Sequence, residues 1–120
     1  MHEIHFYEDK GGNSPILDFI EALAKRTDKN SRINHNKIND YIQVLSEYGK
    51  AAGEPYIKHL EGDIWELRPI RTRVFFASWL DNDFILLHHF ENKSTNKTPK
   101  SEIGKAKRNL QDIRERMGQS

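Results

Sequence analysis

Apolar positions in the first half of the chain recur at spacings of three and four. After Pro15, residues Ile16, Phe19, Ile20 and Leu23 fall on one helical face. Ser14 is placed to cap that helix, and Pro15 suits its first turn. A second helix is predicted from about Ser31 to Tyr48, with Ile38, Tyr41, Ile42 and Leu45 as its stripe and Gly49 as its stop. A short polar turn joins the two, which predicts a helical hairpin. Before it, "EIHFYE" (3–8) reads as a short strand, and "DKGGNSP" reads as a loop.

The period then changes. "PYIKHL" (55–60), "IWELRPI" (64–70), "RVFFASWL" (73–80) and "FILLHHF" (84–90) are short and rich in β-branched and aromatic residues. Turn signals separate them, so they predict an antiparallel meander. Asp81-Asn82-Asp83 supplies residues that tolerate left-handed backbone. Pro69 belongs at a strand end or an edge, because it cannot donate to a ladder. The final helix starts near Thr98-Pro99, with Thr98 as cap. Its narrow apolar seam is Ile103, Ala106, Leu110, Ile113 and Met117. The order β-α-α-β-β-β-β-α predicts an α+β fold: a small twisted, mainly antiparallel sheet with a helical hairpin and a C-terminal helix. Helices on one face would leave the other open.

Alternation decides what that open face shows. With Trp65 and Leu67 turned inward, Glu66 and Arg68 turn outward. With Val74, Phe76 and Leu80 inward, Arg73 turns outward too. Two guanidiniums on one face repel unless an anion or a carboxylate joins them. Glu66 is the carboxylate candidate, as a cross-strand ion pair. A phosphate is the functional candidate, because a planar fork suits two oxygens. His88 and His89 point to opposite faces, so one of them at most joins the arginines directly. Either has the residue type for general acid–base work. Lys93, Lys97 and Lys100 lie beyond the last strand, where they form either a polar loop or a basic rim for a phosphate backbone.

Composition changes this picture only in part. The 120 residues fit one domain spanning 1–120, with 36% hydrophobic and 31% charged residues. Net charge is +1, yet residues 1–63 carry 8 Lys+Arg against 11 Asp+Glu, and residues 64–120 carry 11 against 7. A basic second half fits an anionic partner or a solvated surface. Cysteine is absent, which excludes a disulfide framework. No apolar run reaches a membrane span, and the start lacks a secretory pattern. A cytoplasmic protein is expected. The histidines His2, His5, His35 and His59 show no ligand spacing with carboxylates, and there is no HExxH, so no metal is expected. Without a phosphate-cradling glycine loop, no nucleotide cofactor is expected either.

At these residues the chain resembles a family. The pattern "WELRP…RVFFAS…ILLHHF…K…NKTPKSEIGKAKRNLQDI", with the opening "HFYEDKGGNSPILDFIEAL", is similar to the RelE/HigB-like toxins of bacterial type II toxin–antitoxin systems. It is particularly similar to the phage-related HigB-like branch. The resemblance implies a ribonuclease that enters the ribosomal A site and cleaves translated mRNA. It also implies a cognate HigA-like helix-turn-helix antitoxin, through which the complex would bind operator DNA. By motif, Arg68 lies in the "ELR" block and Arg73 in the following "R-V-x-F" block, at positions that meet the scissile phosphate. His88 matches the histidine of "LLHxF", and Lys93 and Lys97 match the lysines before "TP".

The expectation is therefore a metal-independent endoribonuclease. The 2′-hydroxyl attacks the adjacent phosphate and the 5′-oxygen leaves, while Arg68 and Arg73 offset the charge and His88 or His89 moves a proton. Lys93, Lys97 and Lys100 hold RNA. Arg73→Ala is expected to keep the fold and relieve growth arrest. A ParE-like gyrase poison and a non-toxic nucleic-acid-binding module are the rivals.

Overall fold

The computed structural model describes residues 1–91 and 97–118. The elements follow the expected order: β1 (Ile4–Phe6), α1 (Pro15–Lys25), α2 (Lys29–Tyr48), β2 (Ile57–Glu61), β3 (Ile64–Leu67), β4 (Thr72–Trp79), β5 (Asp83–Glu91) and α3 (Lys100–Arg116). One 3₁₀ turn, Gly49–Ala52, follows α2 and was not expected. Gly49 ends α2 with φ +59, a conformation that glycine adopts without a Cβ clash. Asp28 caps α2 by accepting from the Ser31 N–H at 3.0 Å, so the helix begins two residues earlier than the apolar stripe alone implied.

The five strands form one sheet in the order β1-β5-β4-β3-β2. β1 runs parallel to β5, and the other pairs are antiparallel. α1 and α2 cover one face, where Ile16, Ile20, Leu23, Ile38 and Leu45 meet Leu67, Val74, Phe76, Phe84 and Leu86. α3 covers the other, where Ile103, Ala106, Leu110 and Ile113 meet Ile64, Phe75, Ala77, Trp79, Ile85 and Leu87. This corrects the expectation of an open face. The runs "VFFASW" and "FILL" are apolar at successive positions, and such strands are buried on both sides. Phe75 and Phe76 are both fully buried, one on each face.

Two turn expectations also change. Leu80 does not point inward. It is exposed and holds the left-handed position of the β4–β5 turn with φ +56, where Asn82 or an aspartate was expected. Thr98 does not cap α3. Pro99 occupies the cap position, and the Thr98 hydroxyl donates instead to Glu66 Oε2 at 2.8 Å. That bond ties the entry of α3 to the centre of β3.

A bulge in β5 sets the rest. Phe75 pairs with His88, but Phe76 pairs with Leu86, so Leu87 is the extra residue. Leu87 packs in the α3-side core, and His88 stacks on Phe75 of the same face. Two consecutive residues thus share a face, and alternation resumes with His89 on the other.

Candidate functional site

β3 delivers Glu66 and Arg68 to the α3 side of the sheet, and β4 delivers Arg73 to the same side. Glu66 is 1% exposed. Its carboxylate accepts from Thr98 through one oxygen, and its other oxygen lies 3.5 Å from Arg68 Nε. The Arg68 contact is an ion pair without hydrogen-bond alignment, since Nε is buried with no hydrogen-bond partner among the described residues. Glu54 lies 3.8 Å from the Arg68 Nη1. The expected ion pair between Glu66 and Arg68 is therefore present.

Arg73 departs from expectation. It is 7% exposed, not spread on an open face. Its Nη1 donates to the Ile70 carbonyl at 2.9 Å and to the Thr72 carbonyl at 3.0 Å, so it braces the β3–β4 turn. Its Nε is buried without a hydrogen-bond partner among the described residues. Burial pushes the guanidinium down from its ordinary range, Glu66 draws it back up, and Arg68 pushes it down again. The three side chains are thus one coupled group. A residue with these backbone bonds also serves the fold, so Arg73→Ala does not leave the turn untouched.

The two histidines separate cleanly. His88 joins the arginine face, where its ring stacks on Phe75 at 5.7 Å with 6° between planes. Its Nε2 meets Glu102 Oε1 at 2.8 Å. Glu102 stands in the first turn of α3, where the helix dipole favours a carboxylate. Burial pushes its carboxyl up, but the hydrogen bonds from His88 and Lys105, together with their charges, outweigh that and leave it below the usual range. His89 lies on the other face and stacks on Phe19 of α1 at 4.1 Å. Burial first, and the nearby His88 second, push its imidazole below the ordinary value. His89 is thus a packing residue on the α1 face, although its ring lies 6.1 Å from that of His88.

The lysines divide as well. Lys93 lies outside the described residues. Lys97 is exposed just before the entry of α3, and Lys100 is exposed in its first turn. Lys100 acts electrostatically on Glu61 at the β2 edge, which Lys107 also binds. Lys100 therefore lies toward the edge of the sheet.

Sequence reasoning missed Glu102, although "TPKSEI" was part of the motif. No local rule links a residue of that helix to His88, fourteen positions earlier. It also missed a second grouping. The parallel pairing of β1 with β5 sets Glu3, His5 and Asp83 so that one ligand atom from each lies within 4.8 Å of the others. His5 Nε2 is 3.1 Å from Asp83 Oδ2, and the Glu3 N–H donates to Asp83 Oδ1 at 3.1 Å. His5 thus has the carboxylate neighbours that its sequence spacing hid, and hydrogen bonds already account for the arrangement.

A family model of phage-derived Gp49-like proteins (DUF891) matches residues 20–111. That span holds Arg68, Arg73, His88, Glu102, the strands β3 to β5 and the N-terminal part of α3. No curated protein matches the chain.

Proposed function

The chain belongs to the phage-derived Gp49-like family, and we propose that it is a toxin: a ribosome-dependent endoribonuclease that cleaves translated mRNA. The observation that carries this reading is the grouping of Arg68, Arg73 and His88 on one sheet face at the entry of α3. Two guanidinium Nε donors there have no hydrogen-bond acceptor among the described residues. An uncompensated buried donor costs about 1–3 kcal/mol. A phosphoryl oxygen in the group would relieve that cost, and more so as charge builds on a phosphorane.

The chemistry needs a proton carrier on the side of those cations. His88 has the residue type and shares their sheet face. The RNA 2′-hydroxyl attacks the adjacent phosphate as its proton leaves to a base, and the 5′-oxygen departs as an acid supplies a proton. Arg68 and Arg73 offset the added negative charge between the two transfers. Glu66 keeps the two guanidiniums together when no RNA is bound. Lys97 and Lys100 extend positive charge past the site towards the flanking backbone, with Lys93 expected to join them.

A HigA-like helix-turn-helix antitoxin is the proposed neutralising partner, and operator DNA would be reached through it. The test is to induce the chain in cells and map mRNA 5′ ends by primer extension. New ends inside translated codons, lost in Arg68→Ala and His88→Ala, are expected. Growth arrest with DNA damage and no new ends would overturn the reading in favour of a gyrase poison. No arrest and no new ends would leave a nucleic-acid-binding module.

A further inference from the structure

We propose that Glu102 is a positioning residue that fixes the tautomer and ring orientation of His88, and so selects Nδ1 as the atom that exchanges a proton with RNA. The last clause rests on the ribonuclease reading; the first rests on geometry alone.

An ionised carboxylate only accepts hydrogen bonds. With Glu102 Oε1 at 2.8 Å from His88 Nε2, a neutral imidazole carries its one proton on Nε2. The lone pair is then on Nδ1. The Phe75 ring beneath His88 fixes the imidazole plane, and the Glu102 bond fixes rotation within that plane. Glu102 is held in turn, because Lys105 Nζ lies 3.3 Å from its second oxygen. The Thr98–Glu66 bond anchors the chain just before the helix that carries Glu102. The histidine and the glutamate are each about four-fifths buried (side chains 20% and 17% exposed), so the pair is neither solvent-averaged nor sealed from a ligand.

Among the described residues, the surrounding charges come from elements packed at this point. His89 and Glu91 share the strand with His88, Glu102 and Lys105 face it from α3, and Arg73 and the Glu66–Arg68 pair stand on β4 and β3. Among the described residues, Glu102 is the charged group bonded to the ring. Taking a proton at Nδ1 gives an imidazolium with Nε2 still bonded to the carboxylate, which stabilises the new charge. Giving the proton up again restores the same tautomer. In either direction the transfer runs through Nδ1 and leaves Nε2 in place. The carboxylate that orients the histidine does not itself take the proton.

Nitrogen-15 spectra of the purified chain with labelled histidine, recorded across pH, test the geometric claim. For neutral His88 the Nε2–H tautomer is expected. Glu102→Gln retains it, because the amide carbonyl still accepts. Glu102→Ala gives mixed tautomers. RNA cleavage should follow: Glu102→Gln keeps most of it, and Glu102→Ala falls by roughly tenfold or more with its fold retained by circular dichroism. An Nδ1–H tautomer in the unsubstituted chain overturns the proposal even if no variant folds. So does a Glu102→Ala chain with an unchanged tautomer and pH profile. The Nε2–H tautomer in a chain that cuts no RNA upholds the hold of Glu102 on His88 and overturns the choice of Nδ1 for RNA together with the ribonuclease reading.

Discussion

His89 packs against Phe19, and its imidazole is held below the ordinary value of 6.5 by burial and by His88. The folded form therefore binds its proton less well than the unfolded form. Stability from this group is fully present above about pH 6.5 and is lost as pH falls below it, until both forms are protonated. Denaturant midpoints measured from pH 7.5 to 5 should fall, and His89→Phe should flatten that slope. Arg73 makes a second prediction. Its two bonds to backbone carbonyls mean that Arg73→Ala destabilises by roughly 1–3 kcal/mol, a loss that urea melts would register. Arg68, with its side chain 22% exposed and no such backbone bonds among the described residues, is the cleaner probe of the proposed phosphate binding. Alternation in "WELRP" was enough to pair Glu66 with Arg68. It was not enough to choose between His88 and His89, because the bulge at Leu87 has no sequence mark in an apolar run. Burial of Arg73 was equally hidden, since it depends on how α3 and the β3–β4 turn close around it.

At the scale of elements, the turn between β3 and β4 carries strain. Ile70 has φ +48, a region that β-branched residues rarely occupy, and its side chain is exposed. Such a residue costs about 1–3 kcal/mol, more than the unfolded-chain entropy a glycine would add. Ile70→Gly should raise the urea midpoint while leaving the Ile70 carbonyl as acceptor for Arg73. An unchanged or lower midpoint would show that the turn is not strained. The C-terminal half of α3 is tied down differently. The Tyr7 hydroxyl donates to Asp112 Oδ2 at 2.6 Å, with Arg116 over the Tyr7 ring. Burial, then the bond to Asp112, push Tyr7 up to about 12. Its stabilising contribution is complete below pH 10 and is lost as pH rises from there through about 12. Tyr7→Phe should remove that alkaline loss and cost about 1 kcal/mol at neutral pH. Element type and order were legible because periods of two and of three to four are local properties. The sandwiching of the sheet was written in its continuous apolar runs, but a reading that assigned one face per strand passed over them.

At the scale of the molecule, burying both sheet faces moves the site from a broad open surface to a restricted place where α3 enters. Phe75 lies beneath it, fully buried, so its loss would cost about 3–5 kcal/mol and report on the fold rather than on the site. Charge follows the same division. The acidic first half, residues 1–63, builds β1, the hairpin and β2. The basic second half, residues 64–120, supplies both arginines and α3. An anionic backbone would therefore approach the half that carries Arg68, Arg73 and His88. The most direct measurement is cleavage by the purified chain of a defined mRNA on ribosomes with an empty A site. The account predicts a cut within the A-site codon that leaves a 2′,3′-cyclic phosphate, reduced at least about 100-fold in His88→Ala and strongly reduced in Arg68→Ala. An intact message, or equal cutting by the unsubstituted chain and both folded variants, would contradict it.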